Sequence, residues 1–376
     1  MDLRLSEAQA DVRARARRVA REVIAPRAAL HDREARFPRE QMQALADEGF
    51  LAMLAPTAVG GGGHGSIAYS LAMTEVARAC AATAVTMAVT NMVADAICAW
   101  GSEEQKALHV PKLASGAYVA GSFCLSEPDA GSDAASLRTT AVRDGDGYVL
   151  DGSKMWITSG DVAGVFLVMT KTDAAARAKG ISTFVVHPET PGFSIGKHEE
   201  KMGLRASSTV SIHLDGVRVP EAARLGPEGI GFRIAMRALD GGRIGIGSQA
   251  LGIAEAALEA TTAMVREEPA RRTAATEGRL ASLATRVEAA RALVLRAAAL
   301  KDAGEADFSR EASMAKPYAT ETANQVCAEA LELAGADGYG SAAPLERLFR
   351  DVRVTTIYEG TSEIQRLVIA RKVLAA

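Results

Sequence analysis

Near its C-terminus the chain reads TIYEGTSEIQRL, which sets Glu359 between Tyr358 and Gly360 shortly before a run that reads as the last helix. A positioned carboxylate can remove or deliver a proton, and a glycine beside it lets backbone approach a ligand closely. Ser362 with Gln365 fits a capping box opening that helix, so Glu359 would sit near a positive helix end. The plain structural alternative is a first-turn helix glutamate with no chemical role.

Other chemistry-bearing patterns fall away on context. GIGSQA, from Gly245 to Ala250, has the GxGxxA form of a dinucleotide fingerprint, but it lies in a helical stretch with no strand before it and reads as close helix packing. Gly60 to Gly63 lack the Lys-Ser/Thr of a phosphate loop and read as a flexible connector. The histidines His31, His64, His109, His187, His198 and His213 show no metal-ligand spacing, so no metal site is expected. No GxSxG nucleophile elbow is present. Cys80, Cys98, Cys124 and Cys327 are scattered without a CxxC pair, which reads as small buried hydrophobes in a reducing cytoplasm.

The elements that must position a site follow a segregated order. With 376 residues the chain is long enough for two or three domains. A net charge of −3 gives no electrostatic reason to expect nucleic acid or an anionic membrane as the main partner. No stretch reads as a membrane span or secretory signal. Residues 1–116 read as helical, with capping boxes at Ser6/Gln9 and Ser102/Gln105. Residues 117–225 carry short β-rich runs such as GYVLDG, VFLVMT and VSIHLDGVRV. Residues 226–376 return to long helical patterns, with Leu280, Leu283, Val287, Val294 and Leu295 on one stripe. A helical, β, helical order predicts an α+β assembly rather than a doubly wound sheet.

Three segments become specific when taken together: FCLSEPDAGSDAASLRTTA at 123–141, GSKMWITSG at 152–160, and ERLFRDVRVTTIYEGTSEIQRLVIAR at 346–371. With MGLRASST at 202–209 and RALDGGRIGIGSQALG at 237–252, they resemble the flavin-dependent acyl-CoA dehydrogenase family over nearly the whole chain. The resemblance implies a helical N-terminal domain, a middle β-barrel-like or sandwich domain and a C-terminal four-helix-bundle domain. It implies FAD as cofactor, an acyl-CoA thioester as substrate, a trans-2-enoyl-CoA as product, and electron-transfer flavoprotein as acceptor. Desaturation removes a proton and a hydride, and no side chain accepts hydride, so a cofactor is obligatory for that reaction.

The same resemblance assigns residues. Phe123, Leu125 and Ser126 would border the isoalloxazine, with Trp156, Ile157 and Thr158 covering it from the next strand. Ser132, Thr361 and Glu363 are further cofactor positions. Ser132, Ser207, Asp240, Arg243 and Gly360 would contact the substrate. Glu359 matches the α-proton base, with flavin N5 as hydride acceptor; in a second subgroup of the family the glutamate stands at the place of Gly242. The TIYEGTSEIQRL wording is nearest short-chain relatives.

The sequence departs from the family at the half of the site that holds the ADP of the cofactor. After Met264 the Arg-x-x-Phe-Gly segment is replaced by VREEPARRTAA, in which Pro269 breaks the helix and Arg266, Arg271 and Arg272 remain as possible phosphate contacts. Gln-x-x-Gly-Gly becomes ELAGA, with Glu332 and Ala336 in place of Gln and Gly. The alternatives are an oxidase of the same fold, a dehydrogenase acting on carrier-protein-bound acyl groups, and a flavin-free partner subunit of a hetero-oligomer. A homo-oligomer, dimer or tetramer, is the expected assembly, a hetero-oligomer with a related chain its alternative.

Overall fold

The computed structural model describes residues 4–305, 307–340 and 343–375. Six helices come first: α1 (Glu7–Val19), α2 (Ala25–Glu34), α3 (Arg39–Asp47), α4 (Ser66–Ala79), α5 (Ala81–Trp100) and α6 (Glu103–Ala114). Both expected capping boxes form, Ser6 with Gln9 and Ser102 with Gln105. Helix α5 is long and apolar enough to cross a membrane, but it is buried within the protein. Its Asn91 accepts from the Met53 N–H at 2.7 Å and donates to the Phe50 carbonyl at 2.8 Å, satisfying a buried loop. Gly60 to Gly63 belong to a packed turn rather than a flexible connector: a Cβ on Gly61 would stand 2.3 Å from the Ala55 carbonyl oxygen.

The middle region is one eight-stranded sheet, with strands β1 (Gly121–Cys124), β2 (Thr140–Asp144), β3 (Gly147–Thr158), β4 (Val165–Lys171), β5 (Ile181–Val186), β6 (Phe193–His198), β7 (Thr209–Pro220) and β8 (Arg224–Leu225). They run in the order β6-β7-β3-β2-β4-β5-β8, and β1 pairs in parallel with β4. The β3–β7 ladder shifts register between Lys154 and Ile157. That irregularity is what re-aims Trp156, as bulges do beside functional sites.

Among the described residues six more α-helices follow: α7 (Gly231–Glu267), α8 (Ala274–Asp302), α9 (Ser309–Ala334), α10 (Ala336–Tyr339), α11 (Leu345–Val352) and α12 (Ser362–Leu374). Helix α7 is the axis, packing on α4, α5, α8 and α9. The GIGSQA stretch lies within α7, and small residues there allow close approach: a Cβ at Gly245 would lie 2.6 Å from the Tyr69 hydroxyl. Leu283, Val287 and Val294 supply the buried stripe of α8. Pro269 does end α7, and a short 3₁₀ turn at Pro269–Arg271 leads into α8.

Candidate active site

Glu359 lies in the turn between α11 and α12, and its φ is +52, a left-handed conformation that a non-glycine residue adopts only when its surroundings enforce it. Gly360 follows at φ +88. Three side chains hold this pair. Gln365 Nε2 donates to the carbonyls of Glu359 and Gly360 at 3.2 and 3.1 Å. Lys316 Nζ, from α9, donates to the Gly360 carbonyl at 2.6 Å. The Tyr358 hydroxyl donates to Gln249 Oε1 on α7, and Gln249 Nε2 donates to the Ala81 carbonyl at 2.8 Å.

The expected capping box at Ser362 and Gln365 is not what forms. Thr361 is the cap, its Oγ1 accepting from the Ile364 N–H at 3.3 Å. Gln365 turns back instead to the two carbonyls of the strained turn, so its amide is committed to positioning Glu359.

The Glu359 side chain points at α7. A Cβ built on Gly242 would stand 1.9 Å from Glu359 Oε2, so the only residue without a side chain fits opposite the carboxylate. Although part of the residue is accessible, Oε2 is buried with no hydrogen-bond partner among the described residues. Burial pushes the carboxyl up to about 7, against the opposing pull of the Lys316 and Arg243 charges. Arg243, buried one residue on, binds Asp240 and donates to Ser313 Oγ at 3.1 Å, while Ser309 Oγ donates to Asp240 at 2.8 Å. Arg243 therefore faces inward, with its Nε unpartnered among the described residues.

The sheet side brings two sequence segments together. Met155 N–H donates to the Ser126 carbonyl at 2.9 Å, and Ser122 Oγ to the Thr158 carbonyl at 2.8 Å. Trp156 has φ +62 and is 55% exposed, a large aromatic face turned out of the sheet. Phe123 is half-buried and Leu125 is buried beside this edge. The Ile157 side chain belongs to the sheet core, which leaves its backbone as the group able to reach a ligand.

What locks these segments is a buried ion pair that sequence reasoning missed. Lys154 Nζ lies 2.7 Å from Glu127 Oε1 and 3.3 Å from the Leu125 carbonyl. Glu127 also accepts from the Arg138 and Thr139 N–H groups and the Thr139 hydroxyl.

The remaining positions are more scattered. Ser132 is exposed on the loop after β1, and Ser207 is buried in the loop before β7. Thr361 and Glu363 line one open depression of about 270 Å³ with Arg353, Arg366, Glu321 and Ser362. That depression lies at the N-terminus of α12, where the positive helix end and Arg353 suit an anionic group, while Arg366 is paired with Glu321 at 2.6 Å. At the altered segments, Arg279 lies 2.7 Å from Glu332, so the acid that replaces Gln has a counter-charge on the same chain. Arg271 donates to the Ala334 carbonyl at 2.6 Å and pairs with Asp337, and Arg272 pairs with Glu277 at 2.7 Å. Among the described residues no cluster suited to a metal ion occurs.

Lys316, missed along with Lys154, did leave a trace in the sequence. It falls on the helical stripe Ala312, Ala315, Ala319 and Ala323, where a lone charge among small residues marks a buried cation.

An exposed aromatic face on β3, a carboxylate oxygen buried without a partner among the described residues and the N-terminus of α12 are the groups that a class of oxidoreductase built around a large planar cofactor would need. Residues 6–117 match the acyl-CoA dehydrogenase N-terminal domain, 122–217 the middle domain and 229–374 the C-terminal domain. The chain belongs to the acyl-CoA dehydrogenase family and is a flavin-dependent enzyme of it, with FAD as cofactor.

It is 44% identical to the mitochondrial short-chain specific acyl-CoA dehydrogenase of Bos taurus, over 98% of this chain and 91% of that one. It is 43% identical to an acyl-CoA dehydrogenase of Bacillus subtilis (strain 168), over 99% of each. Among solved structures, butyryl-CoA dehydrogenase from Megasphaera elsdenii superposes with a TM-score of 0.97 at 36% identity, covering 100% of both chains. A chain from a study of the electron transferring flavoprotein of Acidaminococcus fermentans gives 0.98 at 38%, again over 100% of both. A glutaryl-CoA dehydrogenase from Mycobacterium smegmatis in complex with FADH2 gives 0.93 at 31%, over 99% of this chain and 96% of that one.

Proposed function

We propose that the protein desaturates a short-chain acyl-CoA between Cα and Cβ, with Glu359 as the base that takes the α-proton. The observation that carries this reading is the Glu359 carboxylate held opposite Gly242, its Oε2 buried without a hydrogen-bond partner among the described residues. A carboxyl raised to about 7 is a stronger base than an exposed one and is still substantially ionised near neutral pH. The Glu359 backbone N–H finds no backbone carbonyl among the described residues, which leaves it free to donate to the thioester carbonyl and acidify the α-proton.

The cofactor fits the reacting half of the site. Trp156 offers a flat face, and Ser126 and Thr158 stand at the same sheet edge with hydroxyls suited to a polar ring edge. When bound, FAD supplies the acceptor for the hydride that leaves Cβ as the α-proton goes to Glu359 and the C=C bond forms. Thr361, Glu363, Arg353 and Arg366 form the polar side of the depression at α12, the place we assign to part of the cofactor's phosphate-bearing arm. Ser132, Ser207, Asp240 and Gly360 we assign to the substrate; Arg243, paired to Asp240, serves it by fixing that carboxylate.

The short-chain assignment rests on the names of the relatives, as does electron-transfer flavoprotein as acceptor. Exposed Leu367, Val373 and Leu374 on α12, with Phe349 on α11, support a homo-oligomer, for which we propose a tetramer. Four free cysteines without a disulfide support a reducing, cytoplasmic setting.

Anaerobic addition of butyryl-CoA to the purified yellow protein should bleach its flavin bands, and octanoyl-CoA should do so less well. A Glu359→Gln variant should bind the same ligands without bleaching. Full bleaching by that variant would exclude Glu359 as the base.

A further inference from the structure

Lys316 is buried on α9, and its one hydrogen bond to the turn goes to the Gly360 carbonyl at 2.6 Å. It forms no ion pair among the described residues, whereas Arg243, the other cation acting on Glu359, is already paired with Asp240. A buried ammonium without a counter-ion is costly, and the charge it faces is Glu359.

We infer that Lys316 is a positioning residue for proton abstraction: its hydrogen bond pins the left-handed Glu359–Gly360 turn, and its charge keeps the Glu359 carboxylate ionised at neutral pH. This rests on Glu359 being the base.

The surroundings leave these roles to few other groups. From α4, Tyr69 contributes a phenol that burial and the Glu359 charge keep protonated. Tyr358 is likewise held neutral by burial. From α7 comes Arg243, and Lys316 itself is influenced by Glu363 on α12 and Glu321 on its own helix. Burial draws Lys316 down to about 8, partly offset by Glu359, so it is still mostly protonated at pH 7. Gln365 also reaches the Gly360 carbonyl, so the turn survives loss of the lysine although its electrostatics change.

The test compares Lys316→Met with Lys316→Gln, which keeps an N–H for the carbonyl but no charge. The readout is the pH dependence of kcat/KM in the FAD-loaded enzyme, with butyryl-CoA affinity and thermal unfolding measured alongside. Both variants should move the acid limb upward by about one pH unit, with Kd for butyryl-CoA changed less than about threefold. Lys316→Met should in addition lose roughly tenfold in kcat at its own optimum, as the turn loosens. If Lys316→Met does not fold, Lys316→Gln carries the same reading of charge.

Unmoved acid limbs in the folded variants would overturn the inference while leaving the base intact. Glu359→Gln separates the two: turnover in that variant sinks the base itself, whereas its inactivity together with unmoved Lys316 profiles sinks only the role of the lysine.

Discussion

Glu359 and Gly242, 117 positions apart in the chain, share one small volume: a Cβ at 242 would stand 1.9 Å from Glu359 Oε2 and 2.8 Å from its Cδ. The proposed base and the residue that makes room for it are therefore a single device. Gly242→Ala should fold, because α7 accepts alanine readily, but must push the carboxylate aside. A displacement of that size at a reacting group costs roughly a hundredfold in rate. Steady-state kcat beside far-UV circular dichroism checks this; near-wild-type turnover would show that the carboxylate has freedom that the packing denies it.

The pH profile follows from the base. Only the ionised form of Glu359 accepts a proton, and burial raises its carboxyl to about 7. Activity, as kcat/KM, should rise with pH on a single-proton limb centred near 7 and flatten above it. A limb centred near the ordinary carboxylate range, around pH 4 to 5, would contradict the burial argument.

The same shift ties function to stability. The folded protein holds the Glu359 proton up to about pH 7, whereas the unfolded chain releases it near 4.5. Between those values the native state binds more protons, so this group's stabilising contribution is complete below 4.5 and is lost as pH rises through 7. At pH 8 the ionised carboxylate then costs the fold about 3 kcal/mol. Glu359→Gln should unfold at higher temperature than wild type at pH 8, and the gap should close toward pH 4.5. Calorimetry at the two pH values reads the difference; equal melting at pH 8 would count against it.

Lys154→Met leaves Glu127 buried without its cation, since the ammonium lies 2.7 Å from Oε1 in a fully enclosed site. Breaking a buried pair in this way destabilises by about 3–5 kcal/mol. It also loosens the Leu125–Ser126 edge opposite Trp156, so FAD retention should fall. Adding Glu127→Gln should restore part of the stability, which chemical denaturation of both variants measures.

Much of the molecule is legible along the chain because it is local. Cap residues at Ser6 and Ser102 bond groups three residues away, a β-rich texture marks the sheet, and Pro269 ends a helix wherever it packs. Glu359 stands out as a carboxylate beside glycine, whereas Trp156 and Gly242 are marked only by the resemblance to the family. At the last helix that local logic misplaced the cap by one residue, because Gln365 has stronger business with the carbonyls of the strained turn.

What only the tertiary structure decided is electrostatic and steric, and so depends on residues distant in sequence. Burial raises Glu359, Lys316 from α9 and Arg243 from α7 oppose that rise, and Lys154 finds Glu127 across 27 positions. Glu332, which stands where the family carries Gln, has its charge met by Arg279 on the neighbouring helix. A residue's type sets what chemistry it can do; the dielectric and the charges around it are properties of a packed interior, and packing alone fixes them.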